Sequence, residues 1–322
     1  MGDGPGVAGA NGYMIDRATT QRTAARRLPK RIAQGLRRLL PFSRRHGAAE
    51  RKVRFRCNIC GSVSTVPAAA LQREVPSCTR CGSTVRTRAV VHLLITELFG
   101  RSMTIPELPP RADLVGIGLS DTEHYAKRLS DKLDYINTFF HQEPKLDITN
   151  PAQELAGRFD FIIASDVFEH VAPPVSRSFA NARRLLKPQG VLVFSVPYSL
   201  EAETCEHFPE LNDYRLFELD GSWRLENRTV DGRRQVFTDL CFHGGPGSTL
   251  EMRLFSRSGL VRDFAAAGFA GVRIADESYP EYGIVWSEPW SLPMVGYATL
   301  GRLPRPWVDG NAMEDRGTVR PV

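Results

Sequence analysis

The chain has 322 residues, of which 42% are hydrophobic and 24% are charged, an ordinary composition for a globular protein with one large domain or two. No apolar run approaches the ~20 residues that cross a bilayer, and no apolar segment near the N-terminus resembles a secretory signal. We therefore expect a cytoplasmic protein without a transmembrane segment, whose cysteines stay reduced.

The net charge of +6 is unevenly distributed along the chain. Residues 1–52 carry a net charge of +9 and residues 53–88 carry +5, whereas residues 89–322 carry −8. The basic character therefore belongs to the first quarter of the sequence. A basic segment of this kind suits an anionic partner, so residues 1–88 could contact nucleic acid.

Residues 1–52 are predicted to form a basic, largely disordered arm. Five apolar residues recur there at helical spacing among arginines: Leu28, Ile32, Leu36, Leu39 and Leu40. Pro41 would end such a helix. An amphipathic helix over 28–40 could bind an anionic membrane surface or nucleic acid, and a solvated tail is the remaining interpretation.

Residues 53–88 contain two Cys-x-x-Cys pairs separated by seventeen residues, and a glycine follows each pair. The residues are Cys57, Cys60 and Gly61 in the first pair and Cys78, Cys81 and Gly82 in the second. This spacing predicts a zinc ribbon in which four thiolates enclose a tetrahedral Zn²⁺. Four protein ligands leave no open position, so we expect a structural ion. The arginines of this segment suit RNA docking, and a solvated surface around the zinc is the alternative.

Residues 89–110 are predicted to form a helix ending at Gly100 and a proline-rich linker, followed by a main domain over 111–302 and a tail over 303–322. Apolar and helical segments alternate in the main domain, apart from an insertion over 198–253. Strands are predicted at 112–117, 133–137, 159–164, 191–196, 271–275 and 294–300, helices at 123–130, 175–186 and 260–267, and a turn at 187–190. This alternation predicts an α/β fold with a doubly wound, mostly parallel seven-stranded sheet.

Two stretches of the main domain carry a family resemblance. They read G-R-F-D-F-I-I-A-S-D-V-F-E-H-V at 157–171 and R-R-L-L-K-P-Q-G-V-L-V-F-S-V-P at 183–197. In this order and spacing they resemble the class I S-adenosylmethionine (SAM)-dependent methyltransferases, closely over 112–198 and loosely over 255–302. The resemblance implies a Rossmann-like fold with SAM in the crevice at the carboxyl ends of the strands.

The resemblance also implies the cofactor contacts. They are Gly116, Gly118 and Ser120 in the loop after the first strand, Asn137 at the ribose, Asp147 and Ile148 at the adenine, and Asp166 and His170 at the methionine end. The loop departs from the family pattern, because Leu114 stands at the usual acidic position and Ser120 at the third glycine. SAM has no phosphate, so a complete glycine cradle is not required.

The insertion carries the candidate catalytic residues. His207 and His243 lie in turn-rich segments, where binding residues concentrate, and histidine can accept a proton near neutral pH. Either Glu206 or Glu251 could orient them. The same four residues could instead hold a metal ion, although their spacing follows no ligand rule, and solvated histidines are the third interpretation.

Three hypotheses for the function follow. The first is a SAM-dependent methyltransferase acting on a small-molecule or saccharide acceptor, with oxygen as the expected methylated atom, and the acidic main domain favours it. The second is a methyltransferase for RNA, of the ribosomal-RNA type, that docks through residues 1–88. The third is a non-catalytic protein with a degenerate methyltransferase fold, motivated by Leu114, Ser120 and Asn137.

Overall fold

The computed structural model describes residues 51–299 and the backbone of the short segment 320–321. The predicted helix over 28–40, with nearly all of the basic arm, and most of the predicted tail lie outside the described residues. The described residues all belong to one compact unit. The cysteine segment and the main domain are therefore parts of one body.

The strands and helices are as follows. They are β1 (Lys52–Arg56), β2 (Val63–Pro67), α1 (Val85–Phe99), β3 (Arg111–Leu119), α2 (Glu123–Ser130), β4 (Leu133–Thr138), β5 (Phe159–Ser165), α3 (Ser176–Leu185), β6 (Leu186–Ser195), β7 (Tyr198–Ser199), β8 (Cys205–Glu206), β9 (Asp213–Leu219), β10 (Ser222–Arg228), β11 (Arg234–Phe237), β12 (Phe242–His243), β13 (Thr249–Leu250), β14 (Arg253–Ser256), α4 (Arg257–Ala266), β15 (Gly271–Ile274), β16 (Met294–Tyr297) and β17 (Arg320–Pro321).

The central sheet has seven strands in the order β17-β15-β16-β6-β5-β3-β4. The strands β4, β3, β5 and β6 are parallel to one another. β16 runs antiparallel to both of its neighbours, so β15 points in the same direction as β6. The predicted α/β class and the mostly parallel seven-stranded sheet are thus confirmed, with the seventh strand contributed by the backbone of Arg320–Pro321.

Helices cover both faces of the sheet, because the strands are apolar on both sides. α1 and α2 pack on one face, in a core that includes Phe161 and Val193. α3 and α4 pack on the other face, against Ile162 and Phe194. The alternation of odd and even residues between the two cores is the expected consequence of the two-residue repeat of a strand.

The structure corrects the predicted turn at 187–190, because these residues lie within a strand. β6 begins earlier, at Leu186, which pairs with Phe159, while Val191 pairs with Phe161. Residues 187–190 therefore bulge out between two ladder pairs of one strand. Local sequence showed the Pro and Gly, but it did not show that the strand resumes across them.

The insertion leaves the sheet at its carboxyl edge and returns there. β6 ends at Ser195, opposite Ser165 at the end of β5. The chain then forms β7 to β14, which include the antiparallel β9-β10-β11 sheet and a small core of Phe208, Leu225, Leu250 and Met252. Among the described residues, no helix combines the length and the apolar character needed to cross a membrane.

Candidate active site

The four predicted zinc cysteines lie together. The Sγ atoms of Cys57 and Cys81 are 3.7 Å apart, those of Cys60 and Cys78 are 3.6 Å apart, and all four lie within 4.8 Å of one another. None of the four forms a disulfide. Four sulfurs around a zinc ion at about 2.3 Å would be about 3.8 Å apart. The donor set and its spacing therefore fit a structural zinc.

Two matching turns build this cluster. The N–H of Gly61 donates to the carbonyl of Cys57 at 2.8 Å, and the N–H of Gly82 donates to the carbonyl of Cys78 at 2.9 Å. Both glycines have positive φ, 77° and 70°, which a residue with a side chain rarely adopts. Each glycine thus closes the turn that follows its cysteine pair.

Arg88 ties the cysteine module, defined here as residues 51–88 and including the first turn of α1, to the rest of the protein. Its fully buried guanidinium lies 4.5 Å from the ring centroid of Phe55. It donates to the carbonyl of Ser83 at 2.8 Å and to that of Gly283 at 3.0 Å. A buried charge requires such partners, so the module is docked specifically on the segment around Gly283.

The module also reaches the carboxyl edge of the sheet. Arg73 donates to both oxygens of Asp166, at 2.8 and 3.1 Å, and Nε of Arg86 lies 3.1 Å from Oδ2 of the same carboxylate. Arg86 also donates to the hydroxyl of Ser165 at 2.6 Å. Burial opposes the ionisation of Asp166, but the two guanidiniums hold its pKa below the usual range. Sequence analysis named Asp166 but missed both arginines.

The two glycines of the predicted cofactor loop lie within β3. A Cβ on Gly116 would overlap the ring of Phe161, and a Cβ on Gly118 would overlap the Tyr135 hydroxyl and the Asp121 carboxylate. These glycines therefore make room for the protein's own side chains. The turn itself comes later, at the exposed Ser120, which has a φ of 58°.

The Asn137 side chain forms two hydrogen bonds with the backbone of the turn that follows β3. Its side-chain carbonyl accepts from the N–H of Asp121 at 2.9 Å, and its amide donates to the carbonyl of Asp121 at 2.8 Å. Asp121 is buried beneath this contact and accepts from the hydroxyls of Tyr125 and Tyr135. Burial raises the pKa of Asp121 to about 7, although the Arg86 charge acts in the opposite direction. Asn137 thus fixes the loop at the end of β3.

Asp147 and Ile148 follow in the connection between β4 and β5. The Asp147 carboxylate accepts from the N–H and the hydroxyl of Thr149, both at 2.8 Å, and the Ile148 side chain is buried. Asn181 of α3 donates to the carbonyl of Ile148 at 2.9 Å. The segment is thus fixed by its own hydrogen bonds and by α3.

The turn after β5 is hydrogen-bonded to the last residues of the insertion. Nδ1 of His170 lies 2.9 Å from the carbonyl oxygen of Leu250, and the N–H of Met252 donates to the carbonyl of Glu169 at 2.8 Å. The fully buried Glu169 carboxylate has no hydrogen-bond partner among the described residues, and burial raises its pKa to about 8. The insertion is therefore held against the turn that follows β5.

Both predicted histidines bind one carboxylate in the insertion. Nε2 of His207 lies 2.9 Å from Oε1 of Glu251, and Nε2 of His243 lies 2.8 Å from Oε2. The His243 ring packs edge-on against His170, with the centroids 4.6 Å apart. Interactions with Cys241 and then Glu251 raise the pKa of His243 to about 10. Burial opposes the ionisation of Glu251, but the two histidines lower its pKa to about 2.

Glu206, the other predicted catalytic carboxylate, has a different partner. It accepts from the buried Arg253 at 2.6 Å, and Arg253 also donates to the carbonyl of Phe168 at 2.7 Å. The set of four residues considered for a metal ion is therefore not assembled as such, since Glu206 is paired with Arg253. Of the two carboxylates proposed to orient the histidines, Glu251 has that position.

A family model described as a methyltransferase domain matches residues 106–274. The comparison with curated proteins finds no match.

Among solved structures, a 1,6-didemethyltoxoflavin N1-methyltransferase from Burkholderia thailandensis is 15% identical, with 67% of this chain and 78% of that chain covered and a TM-score of 0.37. An amino pentose methyltransferase from Micromonospora echinaspora is 13% identical, with 68% and 93% covered and a TM-score of 0.37. A sugar N-methyltransferase from Streptoalloteichus sp. is 14% identical, with 69% and 89% covered and a TM-score of 0.37. We draw no conclusion from these three likenesses, because each TM-score is below 0.5.

Proposed function

Since the chain belongs to the class I SAM-dependent methyltransferases, we propose that it transfers the methyl group of SAM to an oxygen of a small-molecule or saccharide acceptor. The observation that carries this proposal is the His207–Glu251–His243 cluster, held beside the turn that follows Asp166. SAM supplies an electrophilic methyl group, and the chain's own residues supply the rest.

The proposed cofactor site lies at the carboxyl ends of β3, β4 and β5. In an open α/β sheet this edge forms the ligand crevice. The residues proposed to line it are Gly116, Gly118, Ser120, Asn137, Asp147, Ile148, Asp166 and His170. The fit rests on opposite charges at the end of β5, where Asp166 and two guanidiniums match the ammonium and carboxylate of an amino acid.

The proposed acceptor side is the histidine cluster of the insertion. Methyl transfer to a hydroxyl requires an aligned acceptor and a group that takes its proton. His243 has a pKa of about 10 and remains protonated at neutral pH. The role of base therefore falls to His207, while Glu251 holds Nε2 of His207 and stabilises the imidazolium that forms.

The proposed zinc is structural and takes no part in the transfer. Its four thiolate ligands would be Cys57, Cys60, Cys78 and Cys81, which leave no position for a substrate. The ion would stabilise the module that presents Arg73 and Arg86 to the carboxyl edge.

The arginines of the cysteine segment do not favour the RNA hypothesis. Four of the six form contacts within the protein: Arg56 with Glu107, Arg73 and Arg86 with Asp166, and Arg88 with Gly283. Arginines that bind phosphates should instead lie exposed along one face. Nucleic-acid or membrane binding by the basic arm is not part of the proposal.

The proposal is tested by incubating the full-length protein with SAM carrying an isotopically labelled methyl group. The acceptors are hydroxylated small molecules, glycosides and, separately, structured RNA. Mass spectrometry should find the label on an oxygen of a small molecule or glycoside. Label transfer to RNA alone would overturn the acceptor class, and a failure of calorimetry to detect SAM or S-adenosylhomocysteine binding would overturn the activity.

A further inference from the structure

Four charged side chains meet where the cysteine module contacts Asp166, two of them cationic and two anionic. Arg73 and Arg86 both bind Asp166, and both also bind Glu74 from the same module. The two guanidinium side chains and the Asp166 side chain are each less than one-fifth exposed, whereas the Glu74 side chain is half exposed. Two cations are thus shared between one buried and one solvent-facing carboxylate.

Arg86 holds the solvent-facing carboxylate in a particular geometry. Its Nε and Nη2 donate to the two oxygens of Glu74, each at 2.8 Å. This is the fork-to-carboxylate arrangement that arginine forms with free carboxylate ligands. Glu74 lies on the exposed side, so a ligand carboxylate could replace it without leaving a buried charge unpaired.

Arg86 is also positioned at the cofactor crevice. It contacts Ser165 and Asp166 at the end of β5, and its charge acts on the buried Asp121 that follows β3. The guanidinium therefore lies at the carboxyl ends of two neighbouring strands. Asp166 itself has a φ of 57°, and its N–H donates to the carbonyl of Ser195 at 2.7 Å, which fixes the direction of this loop.

We propose, on the premise of the function proposed above, that Arg86 and Arg73 bind the methionyl carboxylate of SAM and that Glu74 occupies this position until the cofactor displaces it. Asp166 keeps the two guanidiniums aligned and provides the negative charge that the methionyl ammonium requires. The cysteine module is then a part of the cofactor site, since it supplies the groups that recognise one end of SAM.

The experiment compares two ligands by calorimetry on the full-length protein. S-Adenosylhomocysteine has the amino-acid end, whereas 5′-methylthioadenosine has the same nucleoside and thioether without it. Arg86→Met should weaken S-adenosylhomocysteine roughly 10- to 100-fold and leave 5′-methylthioadenosine unchanged. Arg86→Lys should lose part of the affinity, because it keeps the charge but not the fork.

Glu74→Gln provides a test of opposite sign on an exposed residue. Removal of the competing carboxylate should tighten S-adenosylhomocysteine roughly two- to fivefold. Arg80→Met, an exposed arginine of the same module, is the matched control and should change neither affinity. A merely structural role for Glu74 would not produce tighter binding.

The outcomes separate this inference from the function on which it rests. If Arg86→Met weakens both ligands equally, or neither, or if Glu74→Gln leaves S-adenosylhomocysteine binding unchanged, recognition of the carboxylate by this module is wrong. If the unaltered protein binds neither ligand, the proposed methyltransferase activity fails first. Thermal unfolding of each variant shows whether it is folded, and Glu74→Gln keeps the test valid if the Arg86 variants do not fold.

Discussion

The cysteine module and the insertion approach the same edge of the central sheet with different chemistry. The module is apolar inside, shares its core with α1 and the sheet, and presents guanidiniums to Asp166. The insertion has only a small core of its own and presents imidazoles and Glu251. Under the functions proposed above, the module would recognise the fixed charges of the cofactor, and the insertion would provide the groups that exchange protons.

The largest effect should come from breaking the module. Cys57→Ser removes a fully buried ligand from a cluster that belongs to the core around α1. We expect the bound zinc to be lost and the free energy of unfolding to fall by about 3 kcal/mol or more. Denaturant unfolding and metal analysis measure both quantities.

Cys205→Ser is the matched control for that variant, because Cys205 is a partly exposed cysteine of the insertion that lies outside the four-sulfur cluster. It should change the free energy of unfolding by less than about 0.5 kcal/mol. If a chelator leaves the stability of the unaltered protein unchanged, the four sulfurs hold no structural ion.

A smaller effect, confined to catalysis, should come from the insertion. Glu251→Gln removes the carboxylate shared by His207 and His243. We expect kcat/KM to fall by roughly 100-fold or more, because proton transfer loses its oriented base, while the affinity for S-adenosylhomocysteine stays the same. Steady-state kinetics and calorimetry give the two values.

Glu218→Gln is the control for the insertion, since Glu218 is an exposed carboxylate of β9. It should leave both values unchanged. If Glu251→Gln and Glu218→Gln have equal kcat/KM values, the histidine cluster takes no part in the reaction. If Glu251→Gln also loses affinity for S-adenosylhomocysteine, the insertion binds the cofactor, which is the role that we assign to the module.

The smallest effect is a pH dependence that only the insertion should show. The pKa of His243 is raised from 6.5 to about 10, so its protonated form favours the folded state. This stabilisation is fully present below pH 6.5 and is lost as the pH rises through about 10. The difference in the free energy of unfolding between the unaltered protein and His243→Gln should therefore shrink over this interval.

Denaturant unfolding at several pH values measures this difference. His141→Gln, at an exposed histidine before β5, should give no comparable slope. A pH-independent difference for His243→Gln would show that His243 is not held as an imidazolium.

Features that depend on residues close together in the sequence were predictable. The alternation of strands and helices, the end of α1 at Gly100 and the glycine after each cysteine pair all follow from local backbone preferences. The cysteine spacing also predicted which four sulfurs meet.

Features that depend on docking were not predictable. Arg73 and Asp166 are 93 residues apart, and neither local sequence indicates that a guanidinium will cover the end of β5. The choice of Glu251 over Glu206 depends on the buried Arg253, which takes the second carboxylate. Likewise, local sequence did not show that Phe161 lies against Gly116, or that Tyr135 and Asp121 lie against Gly118.

The bond from Arg88 to Gly283 has a consequence for how the protein is made. The two residues are 195 positions apart, so the part of the chain that leaves the ribosome first is anchored on a part that leaves much later. Even if the ribbon has already bound zinc, the Arg88 guanidinium lacks the Gly283 carbonyl as an acceptor until that residue has been synthesised. The module can therefore complete its docking only after residue 283 has been synthesised.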